Sequence, residues 1–307
     1  MAPRAKASAT SDPCRYFAPA AEVLAAGLEH EDASKVEAAL PWDAVCDGAY
    51  CIVVTTPSGK LRWPSLLSTL QGAELLERTT AVVNLGPCDE KNQPCECRMK
   101  GLSWSHLLAI KHARSRGLKR ALLLEDDVYF VRSDLERLLH ACAASPSFQL
   151  RQIEAAALYL GGVYTSMVPT QFLSISGGRS YQMHAYVATV EHPGWSKLAE
   201  EVSTSQIMID VAMHNHAGPC WLAHPSVAFQ RPFNATRATT WSLVGLPALH
   251  STLTRLMGWL GIGNCWEGCA RTTNKLVEIF GSIGNAMAAL AGALVLVVSA
   301  FWGLCCR

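Results

Sequence analysis

The sequence predicts an α/β fold, with a mainly parallel β-sheet flanked by helices. Short runs rich in β-branched and aliphatic residues, typical of buried strands, alternate along the chain with segments whose apolar residues recur at helical spacing. This alternation favours a parallel sheet, because each parallel strand needs a crossover, usually a helix, before the next strand. Half of the 307 residues are hydrophobic, which supplies a core for one large domain or two modest domains.

Turn and capping residues mark the order of the elements. The first strand of the ordered domain ends at Pro57, and Gly117 ends an amphipathic helix. Ser133-Asp-Leu-Glu136 is a capping box that begins another helix, and Pro193 suits the first turn of a later one. The predicted strands are residues 50–56, 79–85, 119–124, 156–161, 181–190, 220–223 and 227–229, and the predicted helices are residues 63–78, 102–116, 133–144, 193–202 and 207–214.

Composition divides the chain into four segments. Residues 1–48 are rich in Ala and Pro and are predicted to be a partly disordered extension with one helix over 22–40. The motifs below fall within residues 49–247, the predicted principal domain. Residues 248–275 are a predicted linker, and residues 276–307 a predicted C-terminal transmembrane anchor.

The membrane prediction depends on the stretch from 279 to 306, which contains no charged residue. A helix needs about 20 apolar residues to cross a bilayer, and this stretch is long enough. Arg255, Arg271 and Lys275 precede it and only Arg307 follows, so the positive-inside bias predicts a single-pass anchor with the globular part facing the cytosol. No secretory signal is seen at the N-terminus. The alternative is an amphipathic or buried C-terminal helix.

The formal net charge of +1 and the scattered basic residues argue against a nucleic-acid partner. Of the twelve cysteines, Cys88, Cys95 and Cys97 cluster in one stretch, but their spacing is not that of a zinc site. Disulfides among them require an oxidising compartment, so a lumenal orientation in the ER or Golgi stays open.

Three acids, Glu125, Asp126 and Asp127, directly follow the apolar strand predicted at 119–124. One reading is a solvated turn between a strand and a helix. The other is a ligand site, because ligands collect at the carboxyl ends of strands in α/β proteins. No Gly-rich phosphate loop is present, so a divalent cation, Mn²⁺ or Mg²⁺, is the predicted means of holding phosphates. In an extended chain Glu125 and Asp127 project to the same side, which makes them the predicted metal ligands.

The acids belong to an ordered set of motifs that resembles glycosyltransferase family 25, which includes lipopolysaccharide galactosyltransferases and collagen β-galactosyltransferases. A G-x-x-x-S-H helix followed by a strand ending in E-D-D is the core of the resemblance, which spans roughly residues 49–240. The matching segments are Gly101–Leu107, Ala121–Val128, Leu160–Gly161, His184–Ala188, Ile209–Val211 and Pro225–Gln230.

The resemblance implies a GT-A-like nucleotide-sugar transferase fold and transfer of a hexose, commonly from UDP-galactose, to a hydroxyl of a glycan, lipid-linked or protein acceptor. It places Glu125, Asp126 and Asp127 at the metal and the donor diphosphate, and Asp210 as the candidate general base. Further candidate donor or acceptor contacts are Lys60, Arg62, Ser105, His106, His184 and Gln230.

One segment departs from the family pattern. The arginine-containing segment that follows the family's first strand reads Thr55-Thr-Pro-Ser-Gly-Lys-Leu-Arg62 here, which leaves only Lys60 and Arg62 as cationic contacts. The alternative function is therefore a catalytically inactive, membrane-anchored binding or scaffold relative of the family.

Overall fold

The computed structural model describes residues 15–24, 39–55, 62–84, 95–181, 184–204, 209–216, 220–231, 265–289 and 291–293. Its strands are β1 Arg15–Pro19, β2 Cys51–Thr55, β3 Thr79–Asn84, β4 Arg120–Glu125, β5 Val128–Phe130, β6 Ala157–Tyr159, β7 Val163–Pro169, β8 Ile175–Tyr181, β9 Ala185–Thr189, β10 Cys220–Ala223 and β11 Ala228–Gln230. Its helices are α1 Ala20–Leu24, α2 Trp63–Gly72, α3 Cys95–Ser115, α4 Arg132–Ala143, α5 Pro146–Arg151, α6 Gly194–Thr204, α7 Ile209–His216 and α8 Cys265–Phe280.

The described strands form one nine-stranded sheet in the order β1-β3-β2-β4-β9-β6-β10-β8-β7 and a two-stranded ribbon of β11 and β5. Strand β2 is parallel to both β3 and β4, and β10 is parallel to β6. The other pairings in the large sheet are antiparallel. The fold is thus mixed α/β, and the prediction of a mainly parallel sheet is wrong.

One of the antiparallel pairs is the hairpin of β7 and β8, which was not predicted from the sequence. Strand β8 reads ISGGRSY, and its two glycines lower the strand signal, because glycine gains nothing from packing on a pleated surface. Strand β9 then returns between β4 and β6, antiparallel to both.

Apolar packing on both faces buries the centre of the sheet. All five residues of β2 and the middle four of β4 are buried, which explains their nearly continuous apolar sequences. Helices α2, α4 and α5 cover one face, where Leu66 and Leu135 pack near Leu122 and Leu124. Helices α3, α6 and α7 cover the other face.

Part of the predicted N-terminal extension belongs to this fold. Strand β1 pairs antiparallel with β3 at the edge of the sheet, and the Trp42 indole N–H donates to the Ala73 carbonyl at 2.8 Å. Of the predicted helix over 22–40, residues 22–24 belong to α1, residues 39 and 40 are not helical, and residues 25–38 lie outside the described residues.

The predicted transmembrane anchor is wrong for the described part of residues 276–307. Among the described residues, no helix is both long enough and apolar enough to span a bilayer. Helix α8 ends at Phe280, and Gly281 adopts φ +77°, the left-handed conformation that ends helices. The predicted single-pass topology is wrong with it, and the predicted membrane partner has no support among the described residues.

Helix α8 is instead amphipathic and packs on the sheet beside β7. It buries Ala270, Asn274 and Val277, while the side chain of Lys275 is 67% exposed. The Asn274 amide donates to the Gly162 carbonyl at 3.1 Å and the Ser226 hydroxyl at 2.9 Å, and its oxygen accepts from the Tyr164 N–H at 2.8 Å. The helix thus includes residues 265–275, which the sequence analysis assigned to a linker.

Candidate functional site at the carboxyl end of β4

The three acids lie where the carboxyl ends of β2 and β4 meet. These strands are parallel neighbours, with Val54 opposite Glu125, so the residues that follow each strand converge at one edge of the sheet. On the other side of β4, the Glu125 N–H donates to the His184 carbonyl at 2.9 Å. The acids therefore sit between two strands, and the reading of a plain solvated turn does not describe them.

Asp126 is buried, and protein donors satisfy its carboxylate. The Thr55 hydroxyl donates to Oδ2 at 2.7 Å, and the Arg62 guanidinium donates to Oδ1 at 2.7 Å. The Trp63 indole N–H donates in turn to the Thr55 hydroxyl at 2.9 Å. Burial raises the pKa of Asp126, and Arg62 and Thr55 offset this only in part. This carboxylate fixes the start of α2 against the end of β4.

Asp127 is the least compensated of the three acids. Its Oδ1 is buried and has no hydrogen-bond partner among the described residues, and its Oδ2 lies 3.8 Å from the nearest Arg62 nitrogen. Burial, followed by repulsion from Glu125 and Asp126, raises the pKa of Asp127 well above its ordinary value. The Arg231 N–H donates to the Asp127 carbonyl at 2.7 Å, which fixes the backbone here.

Glu125 is held by groups on three other elements. The Gln230 amide donates to Oε2 at 3.1 Å, and Nε2 of the buried His106 lies 3.5 Å from Oε1, too far for a good hydrogen bond. Burial alone raises the pKa of Glu125, but His106, His184 and Gln230 outweigh it, and the pKa is lowered. Among the three acids, Glu125 is therefore the one whose pKa the folded chain lowers.

His106 and His184 are buried beneath the acids. His106 Nδ1 lies 3.0 Å from the Tyr186 hydroxyl, which links α3 to β9. His184 Nε2 lies 3.2 Å from the Ala228 carbonyl, while its Nδ1 has no hydrogen-bond partner among the described residues. Burial lowers the pKa of His184, so the neutral ring is favoured near pH 7.

The remaining predicted site residues differ in how the structure places them. Ser105 is buried within α3 and donates to the Gly101 carbonyl at 2.9 Å. Asp210 lies in the first turn of α7, which is tied to α3 by a bond from the Ile209 N–H to the Ser103 hydroxyl at 3.0 Å. Lys60 lies outside the described residues. The structure thus brings Arg62, His106, His184 and Gln230 to the acids.

Sequence reasoning missed four residues of the site: Thr55, Trp63, Tyr186 and Arg231. Thr55 had a usable signal, because it ends the strand parallel to β4 and so had to lie near the acids. Tyr186 and Arg231 lie within or directly after segments of the motif set, but their roles depend on side-chain geometry. The Arg231 guanidinium lies 5.4 Å from the Tyr129 ring centroid and donates to the Thr69 hydroxyl at 3.1 Å.

The cluster places three carboxylates around one guanidinium, so a cation would be attracted to it. Among the described residues, no group of three or more His, Cys, Asp and Glu side chains is arranged to hold a metal ion. Mg²⁺ and Mn²⁺ sites in phosphate-binding enzymes need fewer protein ligands. One or two carboxylates are enough there, because phosphate oxygens and water complete the coordination shell of the ion. The unpartnered Asp127 Oδ1 is of the type that such an ion binds.

Comparison with known proteins assigns neither a family nor an activity to the chain. No family model and no curated protein sequence matches the chain. A solved structure described as mannose-1-phosphate geranyltransferase from Thermus thermophilus is similar over 57% of this chain and 73% of that chain, with 14% sequence identity and a TM-score of 0.33. A similarity of this size carries no argument about family or activity. Membership of glycosyltransferase family 25 stays a prediction from the sequence motifs.

Proposed function

We propose that the chain is a glycosyltransferase that moves a hexose, with galactose favoured, from a nucleotide sugar such as a UDP-hexose to a hydroxyl acceptor on a glycan, lipid or protein. The observation that carries the proposal is Asp127, a partly buried carboxylate with one buried, unpartnered oxygen and a raised pKa at the carboxyl edge of β4. An uncompensated carboxylate of this kind is stabilised most by a ligand that brings positive charge.

We assign the binding of Mn²⁺ or Mg²⁺ to Asp127. Such an ion, when bound, would neutralise the negative charge that develops on the departing nucleoside diphosphate. Glu125, the second predicted metal ligand, already has Gln230 beside one oxygen and His106 near the other. Its role in this proposal is to keep a fixed negative charge beside Asp127, which draws the cation to the cluster.

Arg62 orients the donor side of the site. Its guanidinium bonds Asp126 and lies within 3.8 Å of Asp127. It can therefore reach a diphosphate that binds to a cation held by Asp127. A guanidinium has five N–H donors in a planar fork, which suits phosphate oxygens. The Thr55 hydroxyl, to which the Trp63 indole N–H donates, bonds the other oxygen of Asp126 and so helps to fix the position from which Arg62 acts.

Asp210 is the proposed general base, which takes the proton from the acceptor hydroxyl. The sequence resemblance supports this role, and the position of Asp210 on α7, next to the helix that carries His106, is compatible with it. Replacement of Asp210 by Asn should lower the transfer rate at least about 100-fold while donor binding stays unchanged.

A second candidate function is a binding protein that has lost transfer activity. The observation that favours it is Asp126, whose two oxygens are already occupied by Thr55 and Arg62. Such a protein would bind a nucleotide sugar without cleaving it.

The experiment that separates the two candidates measures nucleotide release from a panel of UDP-, GDP- and CMP-sugars by the full-length protein with Mn²⁺. The enzyme proposal predicts Mn²⁺-dependent release from one donor, lost in Asp127→Asn and kept in Asp43→Asn, a change at an exposed acid remote in sequence from the cluster. Binding of a donor without release from any supports the binding protein. The absence of both binding and release would contradict both candidates.

A further inference from the structure

A cavity of about 580 Å³ lies on the distal half of the sheet, and it shares no residue with the acidic cluster. It is formed by the end of α5 and the turn after it, together with β7, β8 and β10. Its volume is within the range of pockets that hold small organic ligands, roughly 300 to 1,000 Å³. Nothing in the proposed transfer reaction uses it.

Two adjacent glycines of β8, Gly177 and Gly178, line the cavity. Gly177 stands directly opposite Trp221 in the pairing of β8 with β10. A Cβ atom built on Gly177 would meet only the Val168 carbonyl oxygen, at 3.9 Å, so a larger side chain has room there. Cross-strand neighbours project to the same face, so such a side chain would project beside Trp221, into the space that both residues line.

Trp221 and Cys220 are among the residues that form the walls. The Trp221 ring packs edge-on against Phe172 at 5.9 Å between centroids, and its Nε1 is buried with no hydrogen-bond partner among the described residues. Burial raises the pKa of the Cys220 thiol to about 12, so this lining residue is neutral.

The rim is basic and apolar. Arg151 pairs with Glu154 at 3.2 Å, whereas Arg179 makes no ion pair with a carboxylate within the described part of the chain. The two arginines and one acid leave a net positive charge at the opening. Val168, which lines the cavity, is 62% exposed and supplies apolar surface there.

We propose that this cavity binds a small anionic molecule with an apolar body, whose phosphate or carboxylate group pairs with Arg179 and Arg151 and whose apolar part covers Gly177 and Trp221. The ligand supplies negative charge at the basic rim and apolar contact over Val168. This site goes beyond the proposed transferase activity, and each proposal can fail without the other.

The test uses the full chain and two fluorescent probes of similar shape. One is 8-anilinonaphthalene-1-sulfonate, which is anionic and aromatic, and the other is N-phenyl-1-naphthylamine, which lacks the sulfonate. The proposal predicts that Arg179→Gln weakens binding of the anionic probe at least about fivefold and leaves the neutral probe unchanged. The control Arg137→Gln, at a surface arginine of α4, should leave the binding of both probes unchanged.

A second variant tests the location. Gly177→Leu should fill the cavity and weaken the binding of both probes about tenfold or more. The control Gly72→Leu, at another glycine with open space around it, should leave the binding of both probes unchanged. Displacement of the anionic probe by octyl phosphate or by octanoate identifies the preferred anion. Circular dichroism checks that each variant is folded. If Gly177→Leu is unfolded, the effect of Arg179→Gln on binding of the anionic probe decides whether the proposal stands.

The proposal is overturned if Gly177→Leu is folded and binds the anionic probe like the wild type. It is also overturned if the anionic probe is insensitive to Arg179→Gln, or if neither octyl phosphate nor octanoate displaces it.

Discussion

Asp127 is an acid whose charge the folded chain compensates poorly. Arg62 is shared among the cluster and bonds Asp126 at 2.7 Å, but it stays 3.8 Å from Asp127. The pKa of Glu125 is lowered, and repulsion from Glu125 adds to the burial that raises the pKa of Asp127. Ionisation of Asp127 in the absence of a ligand therefore opposes folding.

This predicts a pH-dependent gain in stability from Asp127→Asn. A folded-state pKa raised above the ordinary value of about 3.9 gives stability that is complete below that value and is lost as the pH rises through the raised pKa. At pH 7, without metal, Asp127→Asn should raise the melting temperature by about 2 °C or more, and the gain should vanish towards pH 4. Thermal unfolding with a chelator at several pH values checks this. A lower melting temperature for Asp127→Asn at pH 7 would argue that the carboxylate is compensated.

At the scale of elements, the site depends on the close approach of β6 and β11. Gly161 follows β6, and a Cβ atom there would lie 1.8 Å from the Ala228 carbonyl oxygen and 2.9 Å from His184 Nε2. The His184 carbonyl in turn accepts from the Glu125 N–H, so this contact helps to position the acids. The glycine is needed for the approach of two backbones, which explains the Leu-Gly motif noted in the sequence.

Gly161→Ala should therefore destabilise the fold by about 2 to 4 kcal/mol, because backbone atoms must move to admit the methyl group. The matched control is Gly72→Ala at the end of α2, where no atom lies within 4 Å of the added Cβ. That change should be neutral or stabilising by up to about 1 kcal/mol. Chemical denaturation measures both. Equal effects of the two substitutions would contradict the packing described for β6 and β11.

At the scale of the molecule, helix α8 is part of the folded unit. The buried Asn274 connects it to the start of β7 and to Ser226, the residue whose hydroxyl bonds the Tyr164 hydroxyl at 3.0 Å. A single amide on α8 thus satisfies groups on two other segments, residues 162–164 and Ser226, that are far from it in sequence.

Asn274→Ala should lower the free energy of unfolding by about 2 to 4 kcal/mol, because it leaves the Tyr164 N–H and the Gly162 carbonyl buried without their partner. Lys275→Ala is the control, because Lys275 is exposed and pairs only with Glu278 on the same helix among the described residues. It should cost less than about 0.5 kcal/mol. Denaturant unfolding of the full chain compares them, and a small effect of Asn274→Ala would mean that α8 contributes little to the fold.

Several features of the fold and site could be predicted from the sequence for local reasons. An aliphatic run that ends in acids predicted both strand β4 and the site at its carboxyl end. The hairpin of β7 and β8 could not be predicted, because glycines weaken its strand pattern, and α8 could not, because the uncharged stretch that follows it has the pattern of a membrane span. The contact of Arg62 with Asp126 joins residues 64 positions apart and depends on tertiary geometry that no local pattern reveals.

Asp127 is expected, above all, to bind a divalent cation whose coordination the nucleotide donor completes. Electron paramagnetic resonance of Mn²⁺, titrated into the full-length protein with and without UDP, tests this most directly. We predict weak binding of Mn²⁺ alone, binding at least about tenfold tighter with UDP, and loss of this enhancement in Asp127→Asn but not in Asp43→Asn. Mn²⁺ binding that UDP does not enhance, or an enhancement that survives in Asp127→Asn, would contradict this role of Asp127.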